Sequence, residues 1–285
     1  VSREYPTTLT LETSVKCNSQ CIMCPSASLE RDDMSLEFAE SVIDQLASWL
    51  PPQWGLITIP CGNQEPLLWP HLIELLEYSR LVMPGSRAGF STNAALLDEE
   101  MAKALIEVGF SRIAFSVDGA NKETYESIRV GLDYDVVVEN IRRFMQLNKL
   151  AGSPIVQRIH FTEMRSNYTE VSAFADFWMG EGFNRDQIGF LGCDNRAERV
   201  GGEPTFSLGA SNDPCYQPFH MLSVLCNGEV GMCCLDYGPA EVLGNLHEQS
   251  VEEVWNGGPL ECIRNYHTGR HKAVIPKCRE CTTRR

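Results

Sequence analysis

Hydrophobic and polar positions along the chain follow two periods in turn. Residues 7–14 alternate with period two, as a half-buried strand does, and residues 54–61, 87–92, 112–117, 155–162 and 187–192 carry the same strand signal. Between them, apolar residues return at helical spacing. After Ser35, read as an N-cap with Glu37 in the first turn, Phe38, Val42, Ile43, Leu46 and Leu50 share one face, and Pro51-Pro52 ends the helix. Residues 70–81, 98–108, 134–149 and 169–179 read as further helices. Six strand–helix alternations predict an α/β fold, a parallel sheet with its helices outside.

Past Gly201-Gly202 the pattern breaks into Gly, Ser, Asn and Pro, which predicts a boundary near 205–213. Residues 1–204 then form the strand–helix domain and 205–285 a small appendage, with a hairpin at Asn227-Gly228 and a helix around 251–266. A chain of 285 residues has room for that division. The formal net charge of −14 argues against a nucleic-acid partner, since phosphate binding needs a basic face. The charge suits solubility, or an acidic mouth that steers a small polycationic substrate inward. No apolar run reaches the length of a membrane span, and the N-terminus shows no basic and apolar signal pattern. The 12 cysteines are therefore expected as thiols in a reducing, cytoplasmic setting rather than as disulfides.

The chemistry concentrates at Cys17-Asn-Ser-Gln-Cys21-Ile-Met-Cys24, directly after the first strand. A zinc site or unligated core cysteines would be the plainer readings, but structural zinc needs a fourth protein ligand. Three thiolates this close suit a [4Fe–4S] cluster with one iron left open to a small molecule. The C-x3-C-x2-C run at the first strand of a β/α chain resembles the radical S-adenosylmethionine (radical SAM) superfamily. The resemblance implies a partial (β/α)6 TIM-type barrel, a cluster on Cys17, Cys21 and Cys24, SAM on its open iron, and an external one-electron reductant of the flavodoxin or ferredoxin type. It places Met23 where relatives carry an aromatic against the adenine. Gly62-Asn63-Gln64-Glu65-Pro66 resembles the family's GGEP-type motif for the methionine amine of SAM, with Gln64 in place of a glycine. Asn93, Ser116 and Asp118, at the ends of the third and fourth strands, are carried over as SAM contacts, and Arg129 as a partner of the SAM carboxylate. Ordinary turn chemistry and a solvated helix-end arginine are the rival readings of those positions.

The tail holds Cys215, Cys226, Cys233, Cys234, Cys262, Cys278 and Cys281. Its run from Cys226 to Asp236, then Leu243-Gly-Asn-Leu246, Val254-Trp255 and Cys278-Arg-Glu-Cys281, resembles the SPASM/twitch extension of radical SAM enzymes. That resemblance implies one auxiliary [4Fe–4S] cluster on Cys215, Cys233, Cys278 and Cys281, hence two clusters per chain, in a hairpin-plus-helix iron–sulfur domain; half a zinc knuckle is the rival. Of the spare cysteines, Cys262 lies on the tail helix, expected to face the barrel mouth and to return a hydrogen atom to a substrate radical, with Cys61 as second candidate. His160, Glu163 and Asp194 are the substrate-facing candidates. The favoured reading is redox-neutral epimerisation of a polycationic aminosugar, similar to aminoglycoside-tailoring members such as the neomycin-type epimerase. An aminocyclitol alcohol dehydrogenase using the auxiliary cluster, a ribosomal-peptide maturase and a non-enzymatic iron–sulfur carrier are the alternatives.

Overall fold

The computed structural model describes residues 4–24, 29, 31–51, 54–59, 64–193, 214–236, 242–279 and 281. The chain runs β1 (Thr8–Leu11), α1 (Leu36–Trp49), β2 (Leu56–Ile59), α2 (Leu72–Val82), β3 (Arg87–Thr92), α3 (Glu99–Val108), β4 (Arg112–Ser116), α4 (Lys122–Ile128), α5 (Tyr134–Leu150), β5 (Val156–Glu163), α6 (Val171–Gly180) and β6 (Ile188–Gly192). β1 to β6 pair in sequence order and all in parallel, for example Leu9 opposite Ile57 and Ser116 opposite His160. Parallel strands need crossovers, and the amphipathic helices supply them while covering one face of the sheet.

The two faces separate by the period of the strand. Leu9, Leu11, Ile113, Phe115, Ile159 and Phe161 are fully buried under the helices, where Phe115 meets Phe144 edge-on at 5.7 Å and Phe161 meets Phe174 at 4.8 Å. Their neighbours Ser116, His160 and Thr162 are half-buried on the opposite, concave face. Helix starts follow the capping chemistry expected of them: the side chains of Ser35, Asp98, Asn121 and Asp133 each accept a first-turn backbone N–H. This is the α/β partial barrel expected from the sequence.

The tail departs from a separate appendage. β7 (Met221–Val224) pairs in parallel with β1, Leu222 opposite Leu9, and β8 (Val230–Gly231) completes an eight-stranded sheet of order β6-β5-β4-β3-β2-β1-β7-β8. Barrel and tail thus share one sheet. Phe38 of α1 stacks on His247 at 4.0 Å, and Gln45 Oε1 accepts the Val251 N–H at 2.9 Å, tying the tail to the same helix. The hairpin forms at Gly228, whose φ of 80° is the left-handed conformation that a glycine adopts without strain. The helix expected over 251–266 divides into α7 (Val251–Trp255) and α8 (Gly258–Thr268), because Gly257 is extended and Pro259 opens the new first turn; α9 (Pro276–Arg279) follows. The short α4 was not visible in the apolar pattern. The expected boundary near 205 lies outside the described residues.

Gly119 fixes how α4 leaves β4: a Cβ there would stand 2.5 Å from the Tyr125 backbone nitrogen and 2.8 Å from its Cα. Backbone cannot give way as a flexible side chain can, so Gly119→Ala is expected to cost about 1–3 kcal/mol of stability. A denaturant midpoint equal to that of the unsubstituted protein would contradict this packing.

Candidate active site

Six strands bring their carboxyl ends to one rim, and the cysteine loop that follows β1 is sewn across it. Backbone N–H groups of Gln20 and Ile22 donate to the carbonyls of Val130 and Ile128, and Glu65 N–H donates to the carbonyl of Lys16. Asn93 Nδ2 at the end of β3 reaches Asn18 Oδ1 at 2.7 Å. Cys17, Cys21 and Cys24 are half-buried in this loop. Burial pushes the Cys17 thiol up to about 11, and neighbouring Cys21, Cys24 and Glu65 add to it, so three thiols and a buried carboxylate share one neighbourhood.

Asp118 and Arg129 are the most tightly held of the charged candidates. Arg129 meets Asp118 Oδ2 through Nε at 2.8 Å and Nη2 at 2.6 Å, while Asp118 Oδ1 accepts the Thr162 N–H at 2.7 Å. Arg129 also directs Nη1 toward Cys21 Sγ at 3.8 Å. The pair therefore joins β4, the end of α4, β5 and the cysteine loop, and the guanidinium faces a sulfur of that loop. Glu65 is likewise internal. Its carboxylate accepts from Thr92 Oγ1 at 2.6 Å, Asn93 N–H at 2.8 Å and Leu67 N–H at 3.2 Å; burial raises its pKa against those bonds and Arg129. Gln64 accepts from Thr13 Oγ1 at 3.0 Å, and its Nε2 is buried without a partner among the described residues. Met23 is buried with Ile128 and Met164, against Cys21 and Cys193. Cys61, Gly62, Asn63 and Asp194 lie outside the described residues.

His160 lies on the concave face, its ring over the backbone of Gly189. Burial first, then Arg158 and Arg112, lowers its pKa. Glu163 is half-buried at the end of β5. Arg112, the first residue of β4, lies across Gly89 and neighbours Arg87, the first residue of β3, and Arg158; this cluster stands toward the amino ends of the strands, away from the rim, and none of the three forms an ion pair among the described residues.

The second thiol set converges from three parts of the tail. Cys215, Cys233, Cys278 and Cys281 line one cavity together with Gln217, His267 and Lys272. Burial raises Cys233 well above an ordinary thiol and pushes Cys278 up to about 12, in each case with neighbouring thiols adding to it. Lys277 is ion-paired with buried Asp236 beside the cavity. Arg264 anchors α8 behind it, donating to the carbonyls of Pro218 and Trp255 at 2.9 Å each and stacking on the Trp255 ring at 4.2 Å.

Cys262 is not where a donor from the tail helix was expected. With 3.6 residues per turn, α8 buries Leu260, Ile263, Arg264 and His267 and leaves Cys262 exposed. Residues that sequence reasoning missed are Tyr125, His267 and Lys272. Tyr125 is fully buried, its hydroxyl without a partner among the described residues and its pKa raised by burial, within the fields of Arg129, Asp118 and Cys21. Its spacing of four from Arg129 was the available signal.

Comparison with known proteins assigns the chain. The model of the radical SAM superfamily matches residues 11–156, about half of the chain, and that of an iron–sulfur cluster-binding domain, SPASM, matches residues 215–282. The chain belongs to the radical SAM superfamily. Among curated proteins it is 30% identical to Fe-coproporphyrin III synthase of Methanosarcina barkeri over 51% of this chain and 41% of that one. It is 29% identical to mycofactocin maturase MftC of Mycobacterium tuberculosis over 60% of this chain and 41% of that one. The matches thus span about two fifths of those relatives. In fold it resembles BtrN in complex with AdoMet and 2-DOIA, with a TM-score of 0.72 and 18% identity over 99% of this chain and 95% of that one. Streptococcus suis SuiB bound to precursor peptide SuiA gives 0.76 and 14% over 92% and 67%.

Membership brings SAM and a [4Fe–4S] cluster as cofactors, and the SPASM match a further iron–sulfur site. The residues fit these groups. Buried polar atoms without a partner among the described residues include Gln64 Nε2 and Tyr125 Oη near the first thiol set, and Gln217 Oε1 in a residue lining the second. No helix among the described residues is long and apolar enough to cross a membrane.

Replacing Arg129 by Met would leave the Asp118 carboxylate buried and uncompensated, a change that costs about 3–5 kcal/mol. The unfolding free energy of Arg129→Met, against a double variant that also carries Asp118→Asn, measures it. Equal losses in the two would mean that the stranded charge is not the cause.

Proposed function

We propose that this chain is a radical SAM oxidoreductase that removes a hydrogen atom from a carbon of a small polar substrate on the concave face, with the auxiliary cluster taking the second electron. The observation that carries this reading is the four-thiol cavity on a tail that shares the barrel's own sheet. When bound and reduced, the cluster at Cys17, Cys21 and Cys24 supplies the electron that cleaves SAM to methionine and a 5′-deoxyadenosyl radical. Cys215, Cys233, Cys278 and Cys281 hold the auxiliary [4Fe–4S] cluster, giving two clusters in a chain divided near residue 205. Asp118, Arg129, Asn93 and Glu65 hold the cysteine loop in place; Met23, Gln64 and Ser116 border the SAM site; His160 and Glu163 border the substrate. A one-electron reductant from outside the chain is required.

Redox-neutral epimerisation is the second reading. It needs a thiol at the substrate, and Cys262, the donor first expected, is exposed on α8. Cys226 is the thiol that keeps the reading open: it is buried just past the carboxyl end of β7, its Sγ 3.4 Å from Glu12 Oε1. A polycationic aminosugar is supported as substrate by the net charge of −14 and by the full-length likeness to BtrN. Peptide maturation has the support of relatives matched over 41% of their length.

Anaerobic reconstitution is expected to give about eight irons per chain, and Cys17→Ala, Cys21→Ala or Cys24→Ala about four with no 5′-deoxyadenosine formed. Undiminished SAM cleavage in those variants would overturn the assignment. In deuterium oxide the oxidase outcome gives a product two hydrogens lighter than substrate, whereas an epimer carrying one deuterium would establish the thiol-donor reading. Weaker binding at high salt with an aminosugar, and none of that dependence with a neutral analogue, would support a polycationic substrate.

A further inference from the structure

His267 is buried to 1% exposure in the tail cavity and makes two contacts with cysteines of the thiol set. The backbone N–H of Cys215 donates to its Nδ1 at 3.1 Å. A ring nitrogen that accepts a hydrogen bond carries no proton, so the proton of this imidazole is on Nε2. Nε2 stands 3.7 Å from Cys278 Sγ. The ring is thus fixed in one tautomer with its N–H aimed at a sulfur. Ile263, one turn earlier on α8, lines the same cavity, and Arg264 beside it clamps that helix to Pro218 and Trp255, so the ring's position is set by the fold. Lys272, 7% exposed, lines the cavity as well and places a cation there.

We propose that His267 is a positioning residue for the auxiliary cluster: it donates an N–H···S hydrogen bond to the Cys278 thiolate and, with Lys272, raises the reduction potential of the cluster so that it accepts an electron from the substrate radical. Donors on ligand sulfurs and nearby positive charge favour the reduced, more negative state of an iron–sulfur centre. The step balances. The carbon radical left after hydrogen abstraction from a carbinol loses the hydroxyl proton to solvent and one electron to the oxidised cluster, forming the carbonyl; the cluster gains that electron and passes it to an outside acceptor. The inference rests on the auxiliary-cluster reading above.

Potentiometric titration of the reconstituted full-length chain, followed by electron paramagnetic resonance, tests it. His267→Asn keeps a polar atom for the Cys215 N–H but is too short to reach Cys278, whereas His267→Gln extends an N–H toward that sulfur. His267→Asn is expected to disfavour reduction of the auxiliary cluster about tenfold, equivalent to about 59 mV for one electron, with Gln restoring most of the shift. Lys272→Met is expected to shift it in the same direction. The cluster at Cys17, Cys21 and Cys24 serves as internal control and should keep its potential. About four irons per unsubstituted chain would remove the auxiliary cluster and the reading beneath the inference. About eight irons, with the auxiliary potential of His267→Asn equal to that of the unsubstituted chain, would overturn the inference alone. Should His267→Asn fail to hold the second cluster, Lys272→Met and His267→Gln decide, and an unmoved potential in Lys272→Met together with a downward shift in His267→Gln equally overturns it.

Discussion

The buried pair of Asp118 and Arg129 is the interaction on which the geometry of the barrel rim depends. Asp118, two residues past β4, receives the Thr162 N–H of β5, while Arg129 closes α4 and points at Cys21. Two buried charges repay their desolvation only where hydrogen bonds satisfy them, and here the carboxylate has three. The same pair holds residues 128–130 where their carbonyls receive the cysteine loop. Three thiols in a loop would otherwise be free to spread; pinned to α4, they are presented to one point.

A second constraint is the shared sheet. β7 lies against β1, so Glu12, one residue past β1, meets elements from both halves of the chain: it is ion-paired with Arg31 and accepts from Cys226. β1 thus leads into one thiol set while its neighbour β7 belongs to the tail that holds the other. The shared sheet gives the second thiol set a fixed place relative to the first, which a flexibly linked domain would not do. On the proposed reading the roles divide accordingly, the radical being generated at the rim of the barrel and its fate decided by what the tail presents.

Charge illustrates how location decides function. The chain is acidic as a whole, yet Arg87, Arg112 and Arg158 stand together on adjacent strands without counter-ions among the described residues. Like charges held at short range are tolerated where solvent or a bound anion screens them. The cluster lies toward the amino ends of the strands, the end of the barrel opposite the thiol-bearing rim.

Much of this was legible in the sequence. Period-two and period-3.6 patterns located β1 to β6 and most of the helices to within a few residues, because burial of one face per element is a local property. Cysteine spacing singled out Cys17, Cys21 and Cys24, whose short intervals the local backbone sets, whereas Cys215, Cys233, Cys278 and Cys281 were grouped by resemblance to the SPASM extension and meet in one cavity from distant parts of the tail. What the sequence could not decide is which residues meet across long separations. Asp118 with Arg129, Glu12 with Cys226 and His267 with Cys278 are pairings made by the crossing of elements. Helical phase sent Cys262 outward and His267 inward on the same α8, a distinction that depends on which face of that helix docks. The strand order, too, was hidden: that β7 joins β1 follows from an open edge of the barrel sheet needing a partner, and only the tertiary structure supplies one.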